Sequence, residues 1–371
     1  MKPNKKLTDY EVAALKGEFN LADGHARYRL RQSYSKIIDI MTQSNPMIIE
    51  QKNLEYEFST ELFQLANQGI ISWINRSLFC PSASISIEIV ANYLRLQALS
   101  VSLIEPVFDN LADILKRHKI LSAAIKEDKL TESEITKYLD NMNTDAYFFV
   151  LPNNPTGYIV NQSEFEKVVE HCKAQNKLLI LDFSFRFFSR EFNKWSQYSI
   201  LEDSGVKFIA IEDTGKTWPT FELKASSIVA DKVTFLNLQK IYRDFFINLS
   251  PIILHLLTQF IKETNLNSLD NILSLIDNNR KNLHSLIQGS VLVPIGLPNG
   301  SVEWLKINEK YADIDIIDHS RAQGLHLLPG RHFFWEEKTI NSNYMRIALM
   351  RDSDYFLGAL ERLELTMKRF I

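Results

Sequence analysis

Three stretches constrain the fold more than any others: AYFFVLP (146–152), KLLILDFSF (177–185) and VKFIAIED (206–213). Each is a near-continuous apolar run rather than an alternating one. A strand with one wet face alternates, whereas a strand covered on both faces does not, so these read as strands inside a parallel sheet. The segments between them have helical periodicity. SEFEKVVEHCKAQN is amphipathic, and Ser163 followed by Glu166 predicts a capping box at its start. Upstream, SIEIVANYLRLQ after PSAS reads as a serine-capped helix, VSLIEP as a short buried strand and DNLADILKRHK as a further helix. Alternating strand and helix signals from about residue 80 to 235 predict an α/β unit, a mostly parallel sheet covered by helices. No internal repeat interrupts this order.

Ligands of such sheets lie beyond the carboxyl ends of the strands. VSLIE is followed by Pro106 and Phe108, AYFFV by LPNNPTG with Asn154, KLLIL by Asp182, and VKFIAI by Glu212, Asp213 and Lys216. Singly these are a turn, a helix cap and a surface charge. Together they predict polar and aromatic groups converging on one place. Gly215-Lys216-Thr217 imitates the end of a phosphate-binding loop, but that loop requires G-x-x-x-x-G-K-[ST]. Ala210 stands where the first glycine belongs, and Asp213 would oppose the phosphates. Lys216 needs another role.

Composition excludes several function classes. A net charge of −3 argues against a nucleic-acid footprint. No run of about 18 apolar residues suggests a membrane span. The stretch MKPNKKLTDYEVAALKGEFN is charged and lacks the apolar centre of a secretory signal. Two cysteines, Cys80 and Cys172, suit neither a disulfide framework nor a metal site, which leads us to expect a reducing, cytoplasmic setting and no metal.

The order P-x-F, NNPTG, Asp182, Lys216 and a late arginine resembles fold-type I enzymes that use pyridoxal 5′-phosphate (PLP), the class I/II aminotransferase family. Asp182 follows Asn154 by 28 residues, a specific spacing, and the resemblance runs from about residue 60 to the end. It implies a large domain with a mostly parallel, seven-stranded-type sheet (50–260) and a smaller α+β domain (31–49 with 265–371). It also implies a homodimer. On this resemblance Lys216 carries PLP as a Schiff base and later moves protons at the substrate Cα. Asp182 keeps the pyridine nitrogen protonated. Asn154 donates to the ring's phenolic oxygen, and Phe108 stacks on the ring. Ser82, Ala83 and Ser84 offer the phosphate a helix N-terminus. Lys224 stands where the family has a phosphate-binding arginine. Arg346 matches the arginine that clamps the substrate α-carboxylate.

Three departures narrow the reading. Phe185 replaces the usual tyrosine, a loss that Ser184 would partly make good. Asp213 replaces a phosphate-binding serine, with a solvent-facing aspartate as the bland alternative. Thr8, Glu11 and His25 lie in LTDYEVAALKGEFNLADGHARYRL; their bland readings are a helix cap and a surface histidine. This set resembles the PLP-dependent, O2-consuming L-arginine oxidases and hydroxylases of enduracididine-type natural-product biosynthesis. In that subgroup an N-terminal segment, here 1–30, closes over the site. The resemblance implies that Thr8, Glu11 and Asp213 hold the guanidinium, and that His25 orients an oxygen species or activates the water that hydroxylates. The implied reaction takes L-arginine through quinonoid intermediates to 4-hydroxy-2-oxoarginine, with 2-oxoarginine as a second product and O2 as co-substrate. The alternatives are an ordinary aminotransferase, an oxidase stopping at a dehydroarginine, and a cyclase. A non-catalytic PLP-binding regulator would need a DNA-binding domain that the chain does not supply.

Overall fold

The structure, a computed structural model, describes residues 5–29, 36–37, 39, 46–69, 74–130, 134–267, 269–336 and 341–370. Its strands, in chain order, are β1 (Phe19–Asn20), β2 (Ser77–Cys80), β3 (Val101–Glu105), β4 (Ser122–Lys126), β5 (Ala146–Val150), β6 (Leu178–Asp182), β7 (Lys207–Asp213) and β8 (Ser226–Ala230). There follow β9 (Leu292–Pro294), β10 (Val302–Ile307), β11 (Leu325–His326), β12 (Leu328–Pro329) and β13 (Tyr344–Ala348).

The main sheet has seven strands in the order β2-β8-β7-β6-β5-β3-β4. The β4–β3, β3–β5, β5–β6 and β6–β7 pairs are parallel, and β8 runs antiparallel to both neighbours. Every residue of β3, β5 and β6 is buried, the physical counterpart of their unbroken apolar sequences. The Ala83–Leu96, Asp109–Arg117 and Gln162–Ala174 helices occupy the predicted places. One cap differs from expectation. Asn161, not Ser163, opens the third helix: Asn161 Oδ1 accepts from Glu164 N at 2.9 Å, and Glu164 Oε2 accepts from Asn161 N at 2.7 Å. Ser163 falls inside the first turn because an asparagine two residues earlier already serves that end.

A second core joins both ends of the chain. Leu7, Tyr10 and Leu21 pack with Leu305, Ile347, Phe356 and Leu363. Here β12-β13-β10-β9 form an antiparallel sheet, and β1 pairs in parallel with β11. A third cluster joins the Gln51–Leu65 and Pro251–Asn267 helices around Trp218. Residues 31–49, expected with the small domain, lie largely outside the described residues. Ile37 packs in the third cluster instead, and Pro46–Ile48 contacts the Pro251–Asn267 helix.

β3 has β4 on one side and β5 on the other, so the chain reverses its winding there, and the crevice beyond these strand ends is the natural ligand place. One partly buried carboxylate fastens the two loops that border it. Glu127 Oε2 accepts from Asn153 Nδ2 at 2.6 Å and from Thr156 Oγ1 at 2.7 Å, while Asn153 Nδ2 also donates to Pro106 O at 2.8 Å. Burial pushes the Glu127 carboxyl up to about 7, against the pull of these two donors. A carboxyl raised above its usual 4.5 contributes stability that is present below that value and lost as pH rises through about 7. Glu127→Gln keeps an acceptor and removes the charge. Calorimetry should show its Tm about 2–4 °C above wild type at about pH 8 and little changed at about pH 5. Equal shifts at both pH values would contradict this account.

Candidate active site

A cavity of about 230 Å³ opens where β3, β5, β6 and β7 end. Strand ends and the loops after them supply Phe108, Asn154, Asp182, Ser184, Asp213, Lys216 and Lys224. The start of the Ala83–Leu96 helix supplies Ser82, Ala83 and Ser84. The second core reaches over with Thr8, Glu11, His25 and, from β13, Arg346. The structure thus gathers every candidate residue around one space.

The Leu7–Ala14 helix is not capped by Thr8. Lys6 is its N-cap, and Asp9 Oδ2 accepts from Lys6 N at 2.8 Å. Thr8 and Glu11, three apart, therefore share a helical face, and both line the cavity. Leu7 N donates to Asp109 Oδ2 at 3.0 Å, which ties this helix to the large sheet unit. Glu11 does not stand free for a guanidinium: its Oε1 accepts from Arg346 Nη2 at 3.2 Å. Asn154 is also engaged, its Oδ1 accepting from Arg346 Nη1 at 3.1 Å. Arg346 Nη2 donates to Ala22 O as well, whereas its buried Nε has no hydrogen-bond partner. Burial lowers the guanidinium pKa, and Glu11 acts against that shift.

The loop ADGHAR places His25. Its ring Nε2 lies 3.4 Å from Lys216 Nζ, and its Nδ1 lies 2.5 Å from Asp23 Oδ1. Arg351, 1% exposed, holds this loop from behind by donating to the carbonyls of Asn20, Asp23 and His25. His25 is therefore an anchored ring and not a free surface histidine.

On the cavity floor, Asp182 Oδ1 accepts from Ser184 N at 2.9 Å and from Ser184 Oγ at 2.5 Å. Ser184 is committed to Asp182, so it does not supply the hydroxyl that Phe185 lacks. Burial pushes the Asp182 carboxyl up to about 6, with Asp213 adding to the shift and Ser184 and Lys216 opposing it. Asp213 is 5% exposed, so the solvent-facing alternative fails. Its Oδ2 accepts from Gly215 N at 3.1 Å, and its Oδ1 is buried with no partner. Burial raises its pKa, while Lys216, Lys224 and His25 draw it back. Lys224 Nζ pairs with Glu222 at 3.1 Å, so part of its charge is already answered. A Cβ at Gly215 would stand 2.8 Å from Lys224 Cδ and 3.2 Å from Asp213 Oδ2, so a side chain there would displace the lysine.

Residues 55–362 match the family profile of aminotransferase class I and II. The chain belongs to that family. The structure of MppP soaked with the product 2-ketoarginine superimposes with a TM-score of 0.87 at 29% identity, covering 94% of this chain and 100% of that one. Aspartate aminotransferase from Thermus thermophilus with maleate superimposes at 0.78 with 12% identity, over 99% of this chain and 97% of that one, and shows the fold alone. The LL-diaminopimelate aminotransferase of Prochlorococcus marinus (strain MIT 9515) is 32% identical over 93 residues, which is 25% of this chain and 21% of that relative. The family cofactor is PLP, and the cavity fits it. Asp182 is a buried carboxylate whose raised pKa asks for a cation, such as a protonated pyridine. Lys216 offers the amine. The Ser82–Ser84 turn opens a helix, where N–H groups and the dipole favour a phosphate.

Sequence reasoning missed Asp23 and Arg351. Asp23 stands two residues before His25 in ADGHAR, a local signal that was available. Arg351 carried none, because its acceptors lie more than 300 residues away in the chain. The Glu11–Arg346 pair makes a prediction. Glu11→Gln removes an anion that competes for Arg346, so 4-methyl-2-oxopentanoate, a carboxylate without a cationic tail, should bind about tenfold tighter, or about 1.4 kcal/mol. A titration of the bound cofactor's absorbance measures this. Unchanged affinity would show that Glu11 does not guard Arg346.

Proposed function

We propose that this protein is a PLP-dependent, O2-consuming oxidase of L-arginine. It releases 4-hydroxy-2-oxoarginine together with 2-oxoarginine, works as a cytoplasmic homodimer and serves natural-product biosynthesis. The observation that carries the reading is Asp213: a buried carboxylate with one unpartnered oxygen, in the cavity that also holds Arg346 and Lys216. Such an oxygen is costly unless a ligand cation meets it. Arginine brings a planar cation at one end and a carboxylate at the other, and the unpartnered Arg346 Nε suits the carboxylate. The likeness to MppP, whose structure was obtained with the product 2-ketoarginine, supports the same substrate class.

When bound, PLP supplies the electron sink for charge left at the substrate Cα. The chain's own residues do the rest. Arg346 and Asp213 fix the two ends of the substrate, a positioning contribution, with Thr8 beside them. Glu11 leaves Arg346 when the α-carboxylate arrives and turns to the guanidinium. Lys216 Nζ takes the Cα proton. Asp182 holds a proton at the pyridine nitrogen. Phe108 would pack against the cofactor ring, and Asn154, once released by Arg346, would be free for its phenolic oxygen. Ser82, Ala83, Ser84 and Lys224 would hold the phosphate. His25 activates the water that adds at C4. With each O2 reduced to hydrogen peroxide, the atoms balance as arginine, two O2 and two water going to 4-hydroxy-2-oxoarginine, ammonia and two peroxide. The homodimer is supported by apolar side chains left exposed, among them Ile48 at 82%, Ile247 at 90% and Phe245 at 55%.

Oxygen uptake with PLP and L-arginine, without any 2-oxo acid, followed by mass spectrometry, tests the proposal. Uptake with a 4-hydroxylated 2-oxo acid is expected. Uptake with only 2-oxoarginine or a dehydro product would remove the hydroxylation. Turnover only after adding a 2-oxo acid would make this an aminotransferase, the activity of the curated relatives. His25→Ala should keep uptake, at a reduced rate, and abolish the hydroxylated product; an unchanged product ratio would remove His25 from that role.

A further inference from the structure

We propose that Asp23 is a positioning residue that fixes His25 so that the Asp23–His25 pair is the proton acceptor for Lys216 Nζ. Asp23 is 4% exposed, and its two oxygens are divided between two partners. Oδ1 takes the His25 backbone N–H at 3.0 Å and the ring Nδ1 at 2.5 Å. Oδ2 takes Arg27 Nε at 2.7 Å, with Arg27 Nη2 at 2.6 Å. An ionised carboxylate only accepts, so Nδ1 must carry the hydrogen. The lone pair of the neutral ring is then on Nε2, which is the nitrogen 3.4 Å from Lys216 Nζ. Burial opposes ionisation of Asp23, but His25 and Arg27 hold its carboxyl well below the usual range. Arg351 keeps the geometry from drifting, since it grips the carbonyls of both Asp23 and His25 at 2.6 and 3.0 Å.

The step balances simply. A Lys216 Nζ–H bond breaks and a His25 Nε2–H bond forms. The ring becomes an imidazolium whose charge faces Asp23, and the lysine nitrogen is left neutral with its lone pair. No electron changes hands. Among the described residues, Asp213 and the exposed Glu222 also interact electrostatically with His25. Asp213 favours a charged ring and lies beside Lys216 as well, so it does not by itself decide which of the two keeps the proton. The short Nδ1 contact of Asp23 does. This inference concerns Lys216 whatever the substrate, so it stands apart from the arginine reading.

The test is a pH titration of bound-cofactor absorbance in PLP-loaded wild type, Asp23→Asn, His25→Ala and the double variant. Asp23→Asn should move the midpoint by about one pH unit, which is tenfold in the equilibrium. The same change in the His25→Ala background should move it far less, because the two residues act as one unit. Equal shifts in both backgrounds, or none in either, would overturn the proposal. Nitrogen-15 NMR of histidine-labelled wild type gives a second readout that needs no variant to load cofactor. His25, identified by the signal absent from His25→Ala, should be protonated at Nδ1 with a lone pair on Nε2. A neutral ring protonated at Nε2 would overturn the proposal whatever the variants do. An oxygen-uptake failure with an intact midpoint coupling would reject arginine oxidation and leave this inference standing.

Discussion

The site depends on a buried cation, Arg351. Its guanidinium has no ion-pair partner at contact distance among the described residues; it donates to the carbonyls of Asn20, Asp23, His25 and Met350. Burial lowers its pKa to about 10, with Asp23 pulling the other way. A buried charge is tolerable only when its donors are met, and here backbone oxygens meet them. The consequence is geometric. The stretch from Asn20 to His25 is drawn onto the end of β13, and Ala348 N adds a hydrogen bond to Leu21 O at 2.8 Å. One end of the chain thereby becomes the roof of a cavity whose floor is built 160 to 200 residues later. Lys216 and His25 meet across that join.

Charge is distributed in the cavity to suit a ligand with two ends. Burial raises the pKa values of both Asp182 and Asp213, and Asp213 adds to the shift at Asp182. Each is stabilised by an incoming cation. Arg346 is the mirror case: burial lowers its pKa, and its Nε has no partner. A pyridinium, a guanidinium and an α-carboxylate would satisfy the three together. Glu11 is the group that adapts, since its carboxylate answers Arg346 before a substrate does.

Much of this was legible in the sequence. Unbroken apolar runs named the buried strands because burial on both faces leaves no polar phase in the pattern. Strand ends named Phe108, Asn154, Asp182, Asp213 and Lys216 because a parallel sheet places those ends side by side. What the sequence withheld was side-chain commitment. Thr8 and Glu11 looked like a cap because spacing alone cannot say where a helix begins, and Asp9 decided it. Glu11 and Asn154 looked free for ligand atoms, yet both touch Arg346, a partner far away in the chain. Ser184 looked like a substitute hydroxyl, but a short local bond to Asp182 uses it. Arg351 went unnoticed because its importance lies in contacts between distant segments, whereas Asp23 stood beside His25 and its local signal was passed over.

The most direct test of the whole account is a crystal structure of the PLP-loaded enzyme with 2-oxoarginine bound. The account predicts the ligand carboxylate on Arg346, Glu11 withdrawn from that arginine, and the guanidinium on Asp213. A guanidinium pointing to solvent, with the Glu11–Arg346 pair still closed, would contradict it.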